Sequence, residues 1–109
     1  MITCIKFSDE FQKSFKQLKK RYRSLPEDFK TVMNSLVENP IQGDEMHDGM
    51  RKIRIGITSK NRGKRGGGRV IIRVAISDTE LSFLYIYDKS DMPSVSDSFL
   101  NDIIKQLDN

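Results

Sequence analysis

The sequence predicts an α+β fold. Two consecutive apolar stripes on a 3.6-residue period come first. The period then switches to two in the middle of the chain, and a last helical stripe closes it. The implied order is β-α-α-β-β-β-α: a mainly antiparallel sheet with helices on one face and a basic opposite face. The 109 residues, 37% of them hydrophobic and 31% charged, fit one globular domain spanning residues 1–109. That length buries a core without disulfide or metal staples.

Residues 2–7 read as a short strand. Phe11, Phe15, Leu18, Tyr22 and Leu25 then fall at helical spacings. Ser8 is placed to cap that helix, with Asp9 and Glu10 in the first turn, where negative charge is favoured. Its opposite face carries Lys13, Lys16, Lys19, Lys20 and Arg23, read as a solvated surface. Pro26 suits a first helical turn. Phe29, Val32, Met33, Leu36 and Val37 make a second stripe, which Asn39-Pro40 ends. Residues 40–49 read as a loop.

Period two begins with Ile53, Ile55 and Ile57, which alternate with Lys52, Arg54 and Gly56. Val70, Ile72, Val74 and Ile76 alternate with Arg69, Ile71, Arg73 and Ala75. Ser77 to Glu80 reads as a turn, and residues 81–87 as a further strand. After Pro93, Ser94 or Ser96 can cap a last helix bearing Val95, Phe99, Ile103 and Leu107 on one side. The single cysteine, Cys4, cannot form a disulfide framework and is expected in the core of the first strand. With no apolar run long enough for a membrane helix and no signal-peptide pattern, a reducing, cytoplasmic setting is expected.

Charge is distributed unevenly. The formal net charge is only +4, yet nine of the nineteen basic residues fall between Asp48 and Asp78, where no acidic residue occurs. They are Arg51, Lys52, Arg54, Lys60, Arg62, Lys64, Arg65, Arg69 and Arg73. Lys52 and Arg54 share a strand face by their spacing of two, and Arg69 and Arg73 by their spacing of four. If the isoleucine and valine faces meet the helices, these cations crowd together on the other side. Like charges on adjacent strands repel, and phosphate relieves the repulsion. The Gly-rich link from Lys60 to Gly68 allows two readings, an anion-binding loop or a flexible hairpin with solubilising charges.

Other chemistries lack their parts. One histidine and one cysteine do not make a zinc site of the usual kind, so no metal is expected. His47, flanked by Asp44, Glu45 and Asp48, reads as a solvated loop residue. Gly63-Lys64 is followed by Arg65, so the loop is not a nucleotide-binding P-loop. No cofactor is implied.

Residues 49–71, from Gly49-Met50-Arg51-Lys52-Ile53-Arg54-Ile55 through Arg69-Val70-Ile71, carry a specific resemblance, as do Tyr85-Ile86-Tyr87-Asp88-Lys89-Ser90-Asp91. The chain resembles the HigB/RelE-type toxins of bacterial type II toxin–antitoxin pairs, within the RelE/ParE superfamily. The resemblance covers nearly its whole length. It implies a RelE-like fold and a metal-independent endoribonuclease that cleaves mRNA in the ribosomal A site and inhibits translation. It also implies a cognate antitoxin as partner, besides mRNA and the ribosome. By position, the family's functional basic residues fall on Lys52, Arg54, Arg69 and Lys89. The sequence departs from the family at the start of the last helix. Ser94 and Val95 stand where many members carry tyrosine, and the histidines of well-studied HigB toxins are missing.

Self-cleavage of RNA by its 2′-hydroxyl needs a base, charge stabilisation at phosphorus and an acid. Lys52, crowded by cations that disfavour its charged form, is the candidate base. Arg54 and Arg69 are assigned to the phosphate, which their planar forks suit, and Arg69 is expected to be exposed. Lys89 is a candidate acid or second clamp. Lys60, Arg62, Lys64, Arg65 and Arg73 are candidate RNA contacts. Tyr87 can stack on a base or pack at a strand end. A gyrase-inhibiting ParE-like toxin and a non-catalytic RNA-binding module remain alternatives.

Overall fold

The computed structural model describes residues 2–60, 67–75 and 79–108. Its elements are β1 (Cys4–Phe7), α1 (Asp9–Arg21), α2 (Leu25–Glu38), β2 (Asp44–Glu45), a 3₁₀ turn (His47–Gly49), β3 (Met50–Ile55), β4 (Gly68–Val74), β5 (Glu80–Asp88) and α3 (Asp97–Asp108). The five strands form one sheet in the order β1-β5-β4-β3-β2. β1 runs parallel to β5, and every other pairing is antiparallel.

Ser8 caps α1 as its position predicts. Its side chain accepts the Phe11 N–H at 2.9 Å and donates to the Leu84 carbonyl at 2.7 Å, tying the helix start to β5. A cap of this kind contributes about 1 kcal/mol. The first apolar stripe outruns its helix: α1 stops at Arg21, and Leu25 opens α2 with Pro26 in the first turn. Asp28 there accepts the Thr58 N–H and hydroxyl at 2.9 and 2.7 Å, docking α2 onto the chain that leaves β3.

The helical hairpin covers one face of the sheet. Phe11, Leu18, Leu25, Phe29 and Leu36 pack there on Ile53, Ile55, Val70, Ile72, Val74, Leu81, Phe83 and Ile86. A set of phenylalanine rings forms its centre. Phe83 lies 5.1 Å from Phe29, 5.2 Å from Phe7 and 5.7 Å from Phe11, centroid to centroid. Such pairs add about 0.5–1.5 kcal/mol each beyond the area they bury.

The second face differs from expectation. Helices were expected on one side only, yet α3 crosses to the other. Leu100, Ile103 and Ile104 pack there on Met50, Ile71, Leu84 and Tyr87. The reason is an irregularity in β5. Ile71 pairs with Tyr85 but Ile72 pairs with Phe83, so Leu84 is an extra residue. This bulge turns Leu84, Tyr85 and Tyr87 toward the second face, giving α3 an apolar floor.

Two further expectations change. Cys4 is exposed, because β1 is an edge strand and not a core strand. The loop expected over residues 40–49 contains β2, which pairs with β3. The strand end at Ile76 and the turn residues Ser77 and Asp78 lie outside the described residues. No helix among the described residues is long and apolar enough to cross a membrane.

Candidate nucleic-acid interface

Strand register gathers the sequence-predicted cations on the second face. Arg54 pairs directly with Arg69, Lys52 with Ile71, and Met50 with Arg73. Opposed residues of an antiparallel pair share a face, their Cβ atoms about 4.5–5.5 Å apart. Lys52, Arg54, Arg69 and Arg73 are therefore brought together as expected, on the side away from α1 and α2. Their environments differ.

Arg73 lies at the α3 end of this face, where its charge is answered. Its Nε donates to the Asp48 carbonyl at 3.2 Å, and its guanidinium meets the Asp48 and Asp108 carboxylates at 3.5 and 3.4 Å. The side chain thus fastens the 3₁₀ turn and the end of α3 to the sheet. At the other end, Lys52 and Arg54 have no ion-pair or hydrogen-bond partner among the described residues. Among the described residues Arg69 makes one side-chain hydrogen bond, Nη1 to the Gly68 carbonyl at 3.0 Å. Contrary to expectation Arg69 is buried, with 8% of its surface exposed, while Arg54 opposite it is open to solvent. A sunken guanidinium keeps its direction, which suits a fork waiting for phosphate.

Tyr87 continues the row beyond Arg69, its direct partner on β5. It is only 3% exposed and packs beside Tyr85 under α3, so its ring is not a free stacking platform. Its hydroxyl is buried without a hydrogen-bond partner among the described residues. Burial raises the phenol pKa, and nearby Arg69 only partly offsets this.

Lys60 is not a free cation. Its ammonium donates to Asp88 at 2.8 Å and to the Ser90 hydroxyl at 3.0 Å, and lies 5.9 Å over the Tyr22 ring. Asp88 is the hub of this cluster. Tyr22 donates to its other oxygen at 2.6 Å and Arg21 at 3.3 Å, while Arg21 also pairs with Asp91. Burial alone would raise the Asp88 carboxyl. Hydrogen bonds from Lys60, Ser90 and Tyr22 outweigh that and hold it well below the usual carboxylate range. The next residue, Lys89, is exposed, and its backbone N–H donates to the Gly67 carbonyl at 3.1 Å. Arg62, Lys64 and Arg65 lie outside the described residues.

Sequence reading missed two features. One is the Asp88 hub, whose members come from three separate segments: residues 21–22, Lys60 and residues 88–91. The other is Asp44, which pairs with Lys52 in the β2–β3 register. The acid-free run between Asp48 and Asp78 suggested a face without carboxylates, and β2 brings one back. A two-residue strand has no periodicity to read. Gly43 before it was the one available signal.

No family model matches the sequence. Solved structures do resemble the fold. An arginine-to-alanine double mutant of the E. coli toxin RelE in the free state aligns over 98% of this chain and 99% of its own, with TM-score 0.61 and 14% identity. The isolated E. coli RelE toxin in another crystal form aligns over 95% of this chain and 97% of its own, with TM-score 0.59 and 13% identity. A chain of the toxin–antitoxin complex RelBE2 from Mycobacterium tuberculosis aligns over 81% of this chain and 99% of its own, with TM-score 0.56 and 15% identity. At these identities the likeness concerns architecture, and the chain has the fold of the RelE toxins.

Proposed function

We propose that this chain is the toxin of a type II toxin–antitoxin pair, and that it acts in the cytoplasm as a HigB/RelE-type endoribonuclease on mRNA in the ribosomal A site. The observation that carries the reading is the row of Lys52, Arg54 and Arg69 on one open sheet face of a RelE-like fold. Three cations within reach of one another, without an ion-pair partner among the described residues, fit a polyanion better than a solvated surface. Arg54 and Arg69 would hold the non-bridging oxygens of the scissile phosphate, where negative charge builds as the 2′ oxygen attacks. Lys52, one same-face step along β3 from Arg54, would move a proton. Lys89, at the corner after β5, would serve as a second clamp or acid.

The antitoxin follows from the same reading: a nuclease that cuts its host's mRNA must be held in check. One of the structural neighbours is itself a toxin–antitoxin complex. The row of Lys52, Arg54 and Arg69, with Arg54 open to solvent, offers such a partner an electrostatic target.

The test is cleavage of a defined mRNA on programmed ribosomes, with the new ends mapped. The purified chain should cut ribosome-bound mRNA and spare the same mRNA free in solution. Arg69→Ala should slow cleavage about 100-fold or more, the usual loss for one charge-stabilising donor, while keeping its fold. Intact mRNA with the wild-type chain would exclude the ribonuclease reading. Inhibition of gyrase supercoiling by that same preparation would support the ParE-like alternative.

A further inference from the structure

The sole histidine, His47, sits on the 3₁₀ turn, 3.3 Å from Asn101 of α3, and is no neighbour of the Lys52–Arg54–Arg69 row. A carboxylate is. We propose that Asp44 is the general base of the RNA cleavage, taking the 2′-hydroxyl proton while Lys52 protonates the leaving oxygen. The inference rests on the ribonuclease reading and assigns its proton transfers.

Register brings the groups together. Asp44 pairs directly with Lys52. Arg54 is one same-face step along β3, about 7 Å away, and Arg69 lies directly across from Arg54. One carboxylate, one ammonium and two guanidiniums thus share a patch on the order of 10 Å across.

The chain is built to hold Asp44 there. Gly43 has φ +74, and a Cβ on it would come within 2.2 Å of the Lys52 carbonyl oxygen, so only glycine allows this approach. Arg51, on the other side of β3, donates Nε to the Gln42 carbonyl at 2.6 Å and Nη2 to the Gly43 carbonyl at 3.3 Å. After the strand, the Met46 N–H donates to the Met50 carbonyl at 2.9 Å. So a two-residue strand is tied to β3 on both sides of Asp44. Its carboxylate is exposed and has no hydrogen-bond or ion-pair partner among the described residues.

An acid on a phosphate-binding face weakens binding by repulsion, a cost that is offset when the reaction uses the acid. The step balances as follows. The Asp44 carboxylate takes the proton of the 2′-hydroxyl, and the 2′ oxygen bonds to phosphorus. The bond from phosphorus to the 5′ oxygen breaks, and that oxygen takes a proton from the Lys52 ammonium. Arg54 and Arg69 meet the charge on the non-bridging oxygens. The products are a 2′,3′-cyclic phosphate and a 5′-hydroxyl end. Water then returns the proton from Asp44 to Lys52.

Single-turnover cleavage of mRNA on programmed ribosomes tests this, with wild type, Asp44→Asn and Asp44→Glu, and with ribosome binding measured by co-sedimentation. Asp44→Asn should cut about 100-fold slower or worse and lose the acid limb of the pH–rate profile. It should bind programmed ribosomes at least as tightly, since a negative charge has gone. Asp44→Glu should recover part of the rate. A bystander carboxylate gives the opposite sign: Asp44→Asn then cuts as fast as wild type or faster, which overturns the assignment and leaves the ribonuclease reading intact. Weaker binding at an unchanged rate also overturns it. A wild-type chain that cuts nothing removes both.

Discussion

The two faces of the sheet are covered in different ways. On the first, α1 and α2 close an uninterrupted apolar layer centred on Phe83. On the second, α3 covers only one end, and the same strands that floor it run on into Lys52, Arg54 and Arg69. Arg73 and Arg69 make the contrast within a single strand. They lie four residues apart on one face; among the described residues the first is answered by Asp48 and Asp108, the second by a single backbone carbonyl. Position along the strand thus separates a cation that fastens the fold from one left with electrostatic work to do.

Stability measurements break or sharpen this contrast, and Phe83→Ala gives the largest effect. Phe83 is fully buried and touches three other rings, so its loss should cost about 3–5 kcal/mol. Arg54→Ala, on the open end of the other face, should stay within about 0.5 kcal/mol. Chemical denaturation of both variants measures this. Comparable losses would mean that the second face is as structural as the first.

These energetics also explain what was legible in the sequence. A face that buries every second residue writes its period into the chain, so β3, β4 and the cations opposite the isoleucines could be read directly. The helical hairpin was legible for the same reason, through Phe11, Phe15 and Leu18. The crossing of α3 was not, because it depends on a bulge at Leu84 that leaves only a run of apolar residues. The fate of each cation was also hidden. Lys52 and Lys60 look alike in sequence, yet Lys60 is held by Asp88, a residue 28 positions away. Tertiary partners of that kind leave no local pattern. Asp44 lies outside the basic run in sequence, and strand pairing ignores that distance.

The Asp88 hub comes next in size. Asp88→Asn leaves Lys60 and Arg21 without their shared carboxylate, and should cost about 3 kcal/mol, as for a broken buried ion pair. The pH dependence has a definite sign. The folded carboxyl sits below its unfolded value of about 3.9, so its stabilisation is complete above that pH and is lost as pH falls toward the folded value. Between pH 5 and 8 the wild-type contribution should be flat. Below about pH 4 wild type should lose stability more steeply than Asp88→Asn. Parallel acid limbs in the two unfolding curves would remove Asp88 as the hub.

The smallest effect is the most diagnostic for the second face. The Tyr87 hydroxyl is buried with no partner among the described residues, beside Arg69. A buried hydroxyl stripped of water and left unpaired destabilises the folded state by about 1–3 kcal/mol relative to a satisfied one. Tyr87→Phe removes the hydroxyl and keeps the ring that packs on Tyr85 and under α3. It should therefore leave stability unchanged or raise it by up to about 1 kcal/mol. The usual sign for a buried Tyr→Phe change is the reverse, because most buried hydroxyls are paired. A loss of more than about 1 kcal/mol would show that the hydroxyl is satisfied in solution. Activity supplies the second half of the test. If Tyr87 serves only as floor for α3, Tyr87→Phe should cleave ribosome-bound mRNA at the wild-type rate. A more stable variant that cuts slowly would mean that the hydroxyl waits for the substrate, and the boundary between the packed and the working ends of this face would then shift one strand, from Arg69 to Tyr87.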